Sequence, residues 1–207
     1  MEALRAPAIL VIGFVLGAGL MGFEMVASRY LYPYYGSGIE VWAALISTVL
    51  LALMAGYFIG GRLADSHPKS EVLGAAVLIA AGLLAIIPPL ADPLLDFMLR
   101  TAGDGVGSML CACIALLFLP LTLLSFFSPF AVRLVLRDPR KAGTISGAIY
   151  SINTIGNVAG TLGVSLSLIP IMGSRAITFA IAGVIAACGL ALIALRARGA
   201  EGEKPDA

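Results

Sequence analysis

An all-α polytopic membrane protein is the fold class this sequence predicts, and three observations predict it. Of the 207 residues, 60% are hydrophobic and 12% charged, against about 25% charged in a soluble domain. Mean hydropathy is +1.02, which would leave far too much apolar surface in water. Uncharged runs recur six times, at 6–23, 41–61, 72–91, 105–132, 142–174 and 176–195, each close to the ~20 residues a spanning helix needs. No period-two segments of about ten residues appear, which argues against a β-barrel. The expected organisation is one six-helix domain over 1–198, with spans near 7–31, 41–62, 72–91, 105–133, 142–170 and 175–196. Residues 199–207 are expected to be a disordered polar tail.

The first span lacks a convincing small-x-small cleavage site and carries Glu24 and Arg29 at its far end, so it reads as a mature helix and not a signal peptide. Glu24 is the most informative residue in the chain. An ionisable side chain inside a span costs about 2.5 kcal/mol or more unless it has a partner, water or a proton. Gly13, Gly17 and Glu24 recur at spacings of four and seven, so Glu24 lies on the small-residue stripe that packs against other helices. Arg29, five residues on, is badly placed to pair with it and is expected to snorkel to the interface. Tyr30, Tyr32, Tyr34, Tyr35 and Trp42 cluster where the first hairpin leaves the membrane. They read either as a headgroup belt or as an aromatic vestibule for a cation.

The second span carries Gly56 and Gly60, and then Arg62 and Asp65. The third is expected to end or bend at Pro88-Pro89, leaving a 92–104 loop with Asp92, Asp96 and Asp104. The fourth holds Pro120 and Ser125-Phe-Phe-Ser128-Pro129. Proline there removes a backbone donor and kinks the helix, and Ser125 can bond a freed backbone group. The fifth puts Asn153, Gly156, Asn157, Gly160 and Gly163 on one face beside Tyr150. Its two amides either clamp a neighbouring helix or line a polar cavity. A shift of 100 residues lays Gly56 on Gly156 and Gly60 on Gly160, which suggests two three-helix units of opposite topology, the inverted-repeat pattern of secondary transporters.

Ten of the thirteen Lys and Arg residues fall at one end: Arg5, Arg62, Lys69, Arg133, Arg137, Arg140, Lys141, Arg196, Arg198 and Lys204. By the positive-inside rule both termini are then cytoplasmic. The net charge of +1 has no basic stripe, so no nucleic-acid partner is expected. Cys111, Cys113 and Cys188 lie within spans, without metal-site spacing, and read as small hydrophobes. His67, in the loop after the second span, reads as solvated. No metal, cofactor or catalytic constellation is expected, so the chain is not read as an enzyme.

Several motifs, in order, carry a resemblance: Glu24-Met-Val-Ala-Ser-Arg29, Gly60-Gly-Arg-Leu-Ala-Asp65, Ser128-Pro129, and Tyr150-Ser-Ile-Asn153-Thr-Ile-Gly156-Asn-Val-Ala-Gly160. Over residues 10 to 195 the chain resembles the membrane domain of the fused major-facilitator/spermidine-synthase-like proteins of bacteria. The resemblance implies half a major facilitator in the bacterial inner membrane, with Arg62 and Asp65 at a conformational gate. Ser66-His67-Pro68 departs from the usual basic continuation of that loop. No Gly-x-Gly-x-x-Gly follows a strand and no paired carboxylates mark a soluble site, so aminopropyl transfer is not expected of this chain. One six-helix half offers one wall of a pathway, and a two-fold homodimer in the bilayer would supply two. The leading expectation is a homodimeric small-solute transporter, with polyamines or other organic cations as substrate. Glu24, Asn153, Asn157 and Tyr150 would contact substrate or proton. Arg29, Arg62, Asp65, Ser125, Pro129, Gly156 and Gly160 would gate or shape the path. The rival is a non-transporting anchor or accessory subunit for a separate soluble synthase-like enzyme.

Overall fold

A computed structural model describes residues 5–199. Six long helices follow one another: α1 Arg5–Tyr35, α2 Ile39–Ser66, α3 Ser70–Ala102, α4 Val106–Val135, α5 Ala142–Gly163 and α6 Ser174–Leu195. Among the described residues the only β-type pairing is an antiparallel bridge between Lys69 and Arg198. Five of the helices are long and apolar enough to cross a membrane. The exception is α5, where Asn153, Asn157 and the many Gly, Ser and Thr residues dilute an otherwise apolar run.

Two glycines set two of the reversals. Gly36 and Gly103 both have φ +73°, and their N–H groups close onto Tyr32 O and Leu99 O at 2.9 and 3.0 Å. A positive φ at the residue after a helix is the position glycine fills at least strain.

α1 is central and touches the other five helices. The dominant pairings are α1 with α5, α2 with α4, and α3 with α6. Small residues make the first two possible. A Cβ on Gly156 would collide with the Phe14 carbonyl, and one on Gly160 would sit 2.6 Å from Ala18 Cα. A Cβ on Gly56 would sit 2.5 Å from Ser125 Cβ, and one on Gly60 would sit 2.8 Å from Phe126 Cα. The 100-residue glycine correspondence therefore matches a shared job, close backbone approach. The seats, Phe14 and Thr122, differ by 108 and not 100, so the match is not in strict register.

Three expectations need correction. Pro88 and Pro89 do not end the third span: α3 runs through them and through Pro93 to Ala102. Packing and local adjustment inside a bundle tolerate the missing donors. Asp92 and Asp96 therefore lie on helix and not on a loop. The polar tail does not begin at 199. Ser70 N donates to Ala197 O, Ala197 N donates to Ser70 Oγ, and Gly199 N donates to Pro68 O, each at 2.8 Å. This pins the segment after α6 onto the α2–α3 turn. The remaining tail lies outside the described residues.

α4 is the irregular helix. It carries a π segment at Ile114–Phe118 and a break at Phe126, three residues before Pro129, where the ladder tightens to Phe126 N→Leu123 O. α5 also continues into a π segment, Val164–Leu168, closed by Ile169 N→Val164 O at 2.9 Å. Each π segment ends two residues before a proline, Pro120 and Pro170. A residue without an N–H and with a bulky ring displaces the ladder on its N-terminal side, and a widened turn absorbs that.

Candidate functional site

Glu24 is 5% exposed and, among the described residues, makes no hydrogen bond or ion pair. Its depth follows from the helix registers. α1 and α5 run parallel, and a Cβ on Gly22 would lie 2.8 Å from Val164 Cγ2. Two residues further, about 3 Å, Glu24 is level with Val164–Leu168. α4 runs antiparallel to α1, and a Cβ on Gly13 would lie 2.6 Å from the Phe127 ring. Eleven residues on, about 16 Å, Glu24 is level with residue 116, inside Ile114–Phe118. Both π segments thus lie at the level of Glu24. Thr48 on α2 joins the same level: Gly56 seats between Thr122 and Ser125, and eight residues back on these parallel helices Thr48 falls beside residues 114–117. Thr48 is fully buried and its Oγ1 has no hydrogen-bond partner. A mid-bundle layer therefore holds an unpaired carboxylate, an unpaired hydroxyl and two widened helical turns.

The two α5 amides lie nearer the termini and behave differently. Asn153 Nδ2 donates to Gly13 O at 3.0 Å, the interhelical clamp. Asn157 Oδ1 is buried without a partner, 2.9 Å from where a Gly17 Cβ would be. Tyr150 is 46% exposed and lies near Tyr57, whose hydroxyl sits beside Ser128. Glu24, Asn157 and Tyr150 therefore occupy successive levels and do not form one cluster.

Arg29 makes no ion pair or hydrogen bond with Glu24 and is exposed toward the end away from the termini. Arg62 stacks on Phe58, its guanidinium carbon 4.0 Å from the ring centre. Asp65 faces Arg133 at 3.9 Å, an ion pair without a hydrogen bond, with the Asp65 side chain 79% exposed. Such a pair contributes about 0–1 kcal/mol. Ser125 Oγ donates to Leu121 O at 2.6 Å, bonding the turn below and not the carbonyl that Pro129 frees. His67 is exposed, its Nδ1 3.0 Å from Ser66 Oγ.

Three of the clustered tyrosines bond to other helices. Thr178 Oγ1 donates to Ser174 O, so Tyr30 donates to Thr178, at 3.1 Å. Tyr34 reaches Asp92, which also holds Arg175. Tyr35 and Ser108 share a bond of 2.8 Å. These rings tie α1 to α3, α4 and α6 at the end away from the termini. Sequence reasoning missed Thr48 and Tyr57. Thr48 was findable, since 48, 52, 56 and 60 form one four-residue series on α2.

No group of three or more His, Cys, Asp or Glu among the described residues is placed to hold a metal. Comparison with protein-family models, curated proteins and solved structures gives no match for this chain.

Proposed function

We propose that this chain is one half of a membrane transport path for a small solute, completed by a second copy across a two-fold axis along the membrane normal. Glu24 binds a proton or the cationic group of the solute at mid-membrane. In this reading all six helices cross the inner membrane of a bacterium, with both termini cytoplasmic, and α1–α3 and α4–α6 are inverted repeats. The observation that carries the proposal is the buried, unpartnered Glu24, because an intramembrane carboxylate with no structural partner is a functional site by default. The pairings support the repeat: exchanging the two triplets turns α1–α5 into α4–α2 and leaves α3–α6 unchanged. Polyamines are the first substrates to try, on the strength of the motif resemblance alone.

The test is uptake of radiolabelled spermidine and putrescine into proteoliposomes under an imposed pH gradient. Gradient-driven uptake by the wild type and its loss in Glu24→Gln is the expected result. No uptake of either amine by monodisperse protein overturns the polyamine reading.

The anchor reading has its own support. Asn153, Tyr30, Tyr34 and Tyr35 are all engaged in bonds between helices, so much of the polar inventory serves packing. Co-purification of a soluble synthase-like partner, without uptake, favours it.

A further inference from the structure

We infer that the cavity between α1, α2 and the end of α5 is a binding site for an anionic group, phosphate or carboxylate, on a small amphiphilic molecule. This does not depend on the transport proposal. The cavity has a volume of about 390 Å³ and opens at the end away from the termini. Its charged residue is Arg29, with Ser28, Ser37 and Ser165 as hydroxyl-bearing walls and Tyr32 and Trp42 as aromatic ones.

Charge bookkeeping at this end singles Arg29 out. Arg175 is held by Asp92 and Arg100 by Asp96, the latter at 2.8 Å. Among the described residues Arg29 has no ion pair, hydrogen bond or ring contact. Glu40, on α2, is turned toward Gly38, where its Oε2 lies 2.7 Å from the position a Cβ would take, and neither Glu40 nor Glu24 lines the cavity. A guanidinium facing a cavity without a counter-charge recognises phosphate or carboxylate through paired N–H donors. Ser37 and Ser165 supply further hydroxyl donors, while Ser28 already donates to Met25 O, and Met25, Val41 and Ile169 give the apolar part of the ligand a wall. The same guanidinium disfavours a cation in this cavity.

Trp42 is the single tryptophan of the chain and lines the cavity, so its fluorescence reports on one wall of it. The full chain is placed in phosphatidylcholine nanodiscs and titrated with phenyl phosphate. A parallel series raises the phosphatidylglycerol content of the discs. Saturable change of Trp42 emission with phenyl phosphate identifies a soluble organic anion. Saturable change with phosphatidylglycerol alone identifies a lipid headgroup. In either case Arg29→Gln weakens the response about tenfold or more, near the 1.4 kcal/mol that one charge-assisted bond supplies. Arg29→Lys keeps the charge and loses less. Arg100→Gln, at the same end but already paired, leaves the titration unchanged. A response equal in wild type and Arg29→Gln, or no saturable response to either probe, overturns the proposal. Arg29 is exposed and, among the described residues, makes no hydrogen bond or ion pair, so its replacement is expected to leave the fold intact.

Discussion

Replacing Gly160 with alanine tests whether close backbone approach holds α5 on α1. The added Cβ would lie 2.6 Å from Ala18 Cα and 2.7 Å from its carbonyl carbon. These obstacles are backbone, which cannot rotate away as a side chain can. Overpacking of this kind costs about 1–3 kcal/mol, and a backbone obstacle puts it near the top of that range. Alanine in a helix interior returns about 1 kcal/mol over glycine. The net loss is therefore about 1–2 kcal/mol, or about 2–8 °C in Tm at the per-residue entropies of folded chains of this size. Gly156→Ala meets the Phe14 carbonyl and should cost as much. Because the two share one interface, the double variant should lose less than the sum. Gly147→Ala is the control: nothing lies within 4 Å of its Cβ, so only the propensity gain of up to about 1 kcal/mol remains. Thiol-reactive dye melting in detergent reads this directly, because Cys113 and Cys188 are buried while the exposed Cys111 can first be changed to serine. A Gly160→Ala protein that melts at or above the wild type, or a Gly147→Ala protein that melts lower than Gly160→Ala, would refute the reasoning.

Two further outcomes follow from local geometry. Glu24→Gln keeps the shape and removes a charge that has no partner, so it should melt no lower than the wild type, whereas Glu24→Lys enlarges and re-charges the site and should cost about 3 kcal/mol or more; equal losses in both would mean that Glu24 has a structural partner. Ser70→Ala strips the acceptor from the buried Ala197 N–H, a loss of about 1–3 kcal/mol, and should speed tryptic cleavage at Arg196 and Arg198 about fivefold or more; unchanged cleavage would mean the pin contributes nothing.

The parts of the fold legible in the sequence are those that one helix dictates for itself. Gly13, Gly17 and Glu24 fall on one face by arithmetic, and the face proves to be buried. Gly156 and Gly160 mark the closest helix contact because absence of a side chain is visible in the letters. What was not legible depends on a second element. Nothing near Pro88 says that α3 continues through it, because neighbouring helices decide whether the freed carbonyls are tolerated. Tyr30, Tyr34 and Tyr35 look like interfacial aromatics until Thr178, Asp92 and Ser108 are brought to them from chain positions at least 58 residues away. The register that puts Ile114–Phe118 and Val164–Leu168 level with Glu24 needs three helices at once. The two prolines behind those segments were visible, but their effect on the turns before them was not.

The way other buried polar groups are satisfied sharpens the case of Glu24. Thr122, Ser125, Thr161 and Thr178 each return a proton to the carbonyl four residues back on their own helix, and Ser28 to the one three back. Such hydroxyls ask nothing of neighbouring helices and can sit anywhere in a bundle. A carboxylate has no such local remedy, since it carries no proton to give when ionised and helix N–H groups are already engaged. A glutamine would fill nearly the same volume without a charge to desolvate. The fold therefore gains nothing visible from Glu24, in contrast to Asn153, whose bond to Gly13 O joins two helices. A residue that is costly where it lies and, among the described residues, makes no bond between helices is the physical ground on which a mid-membrane binding role is proposed for it.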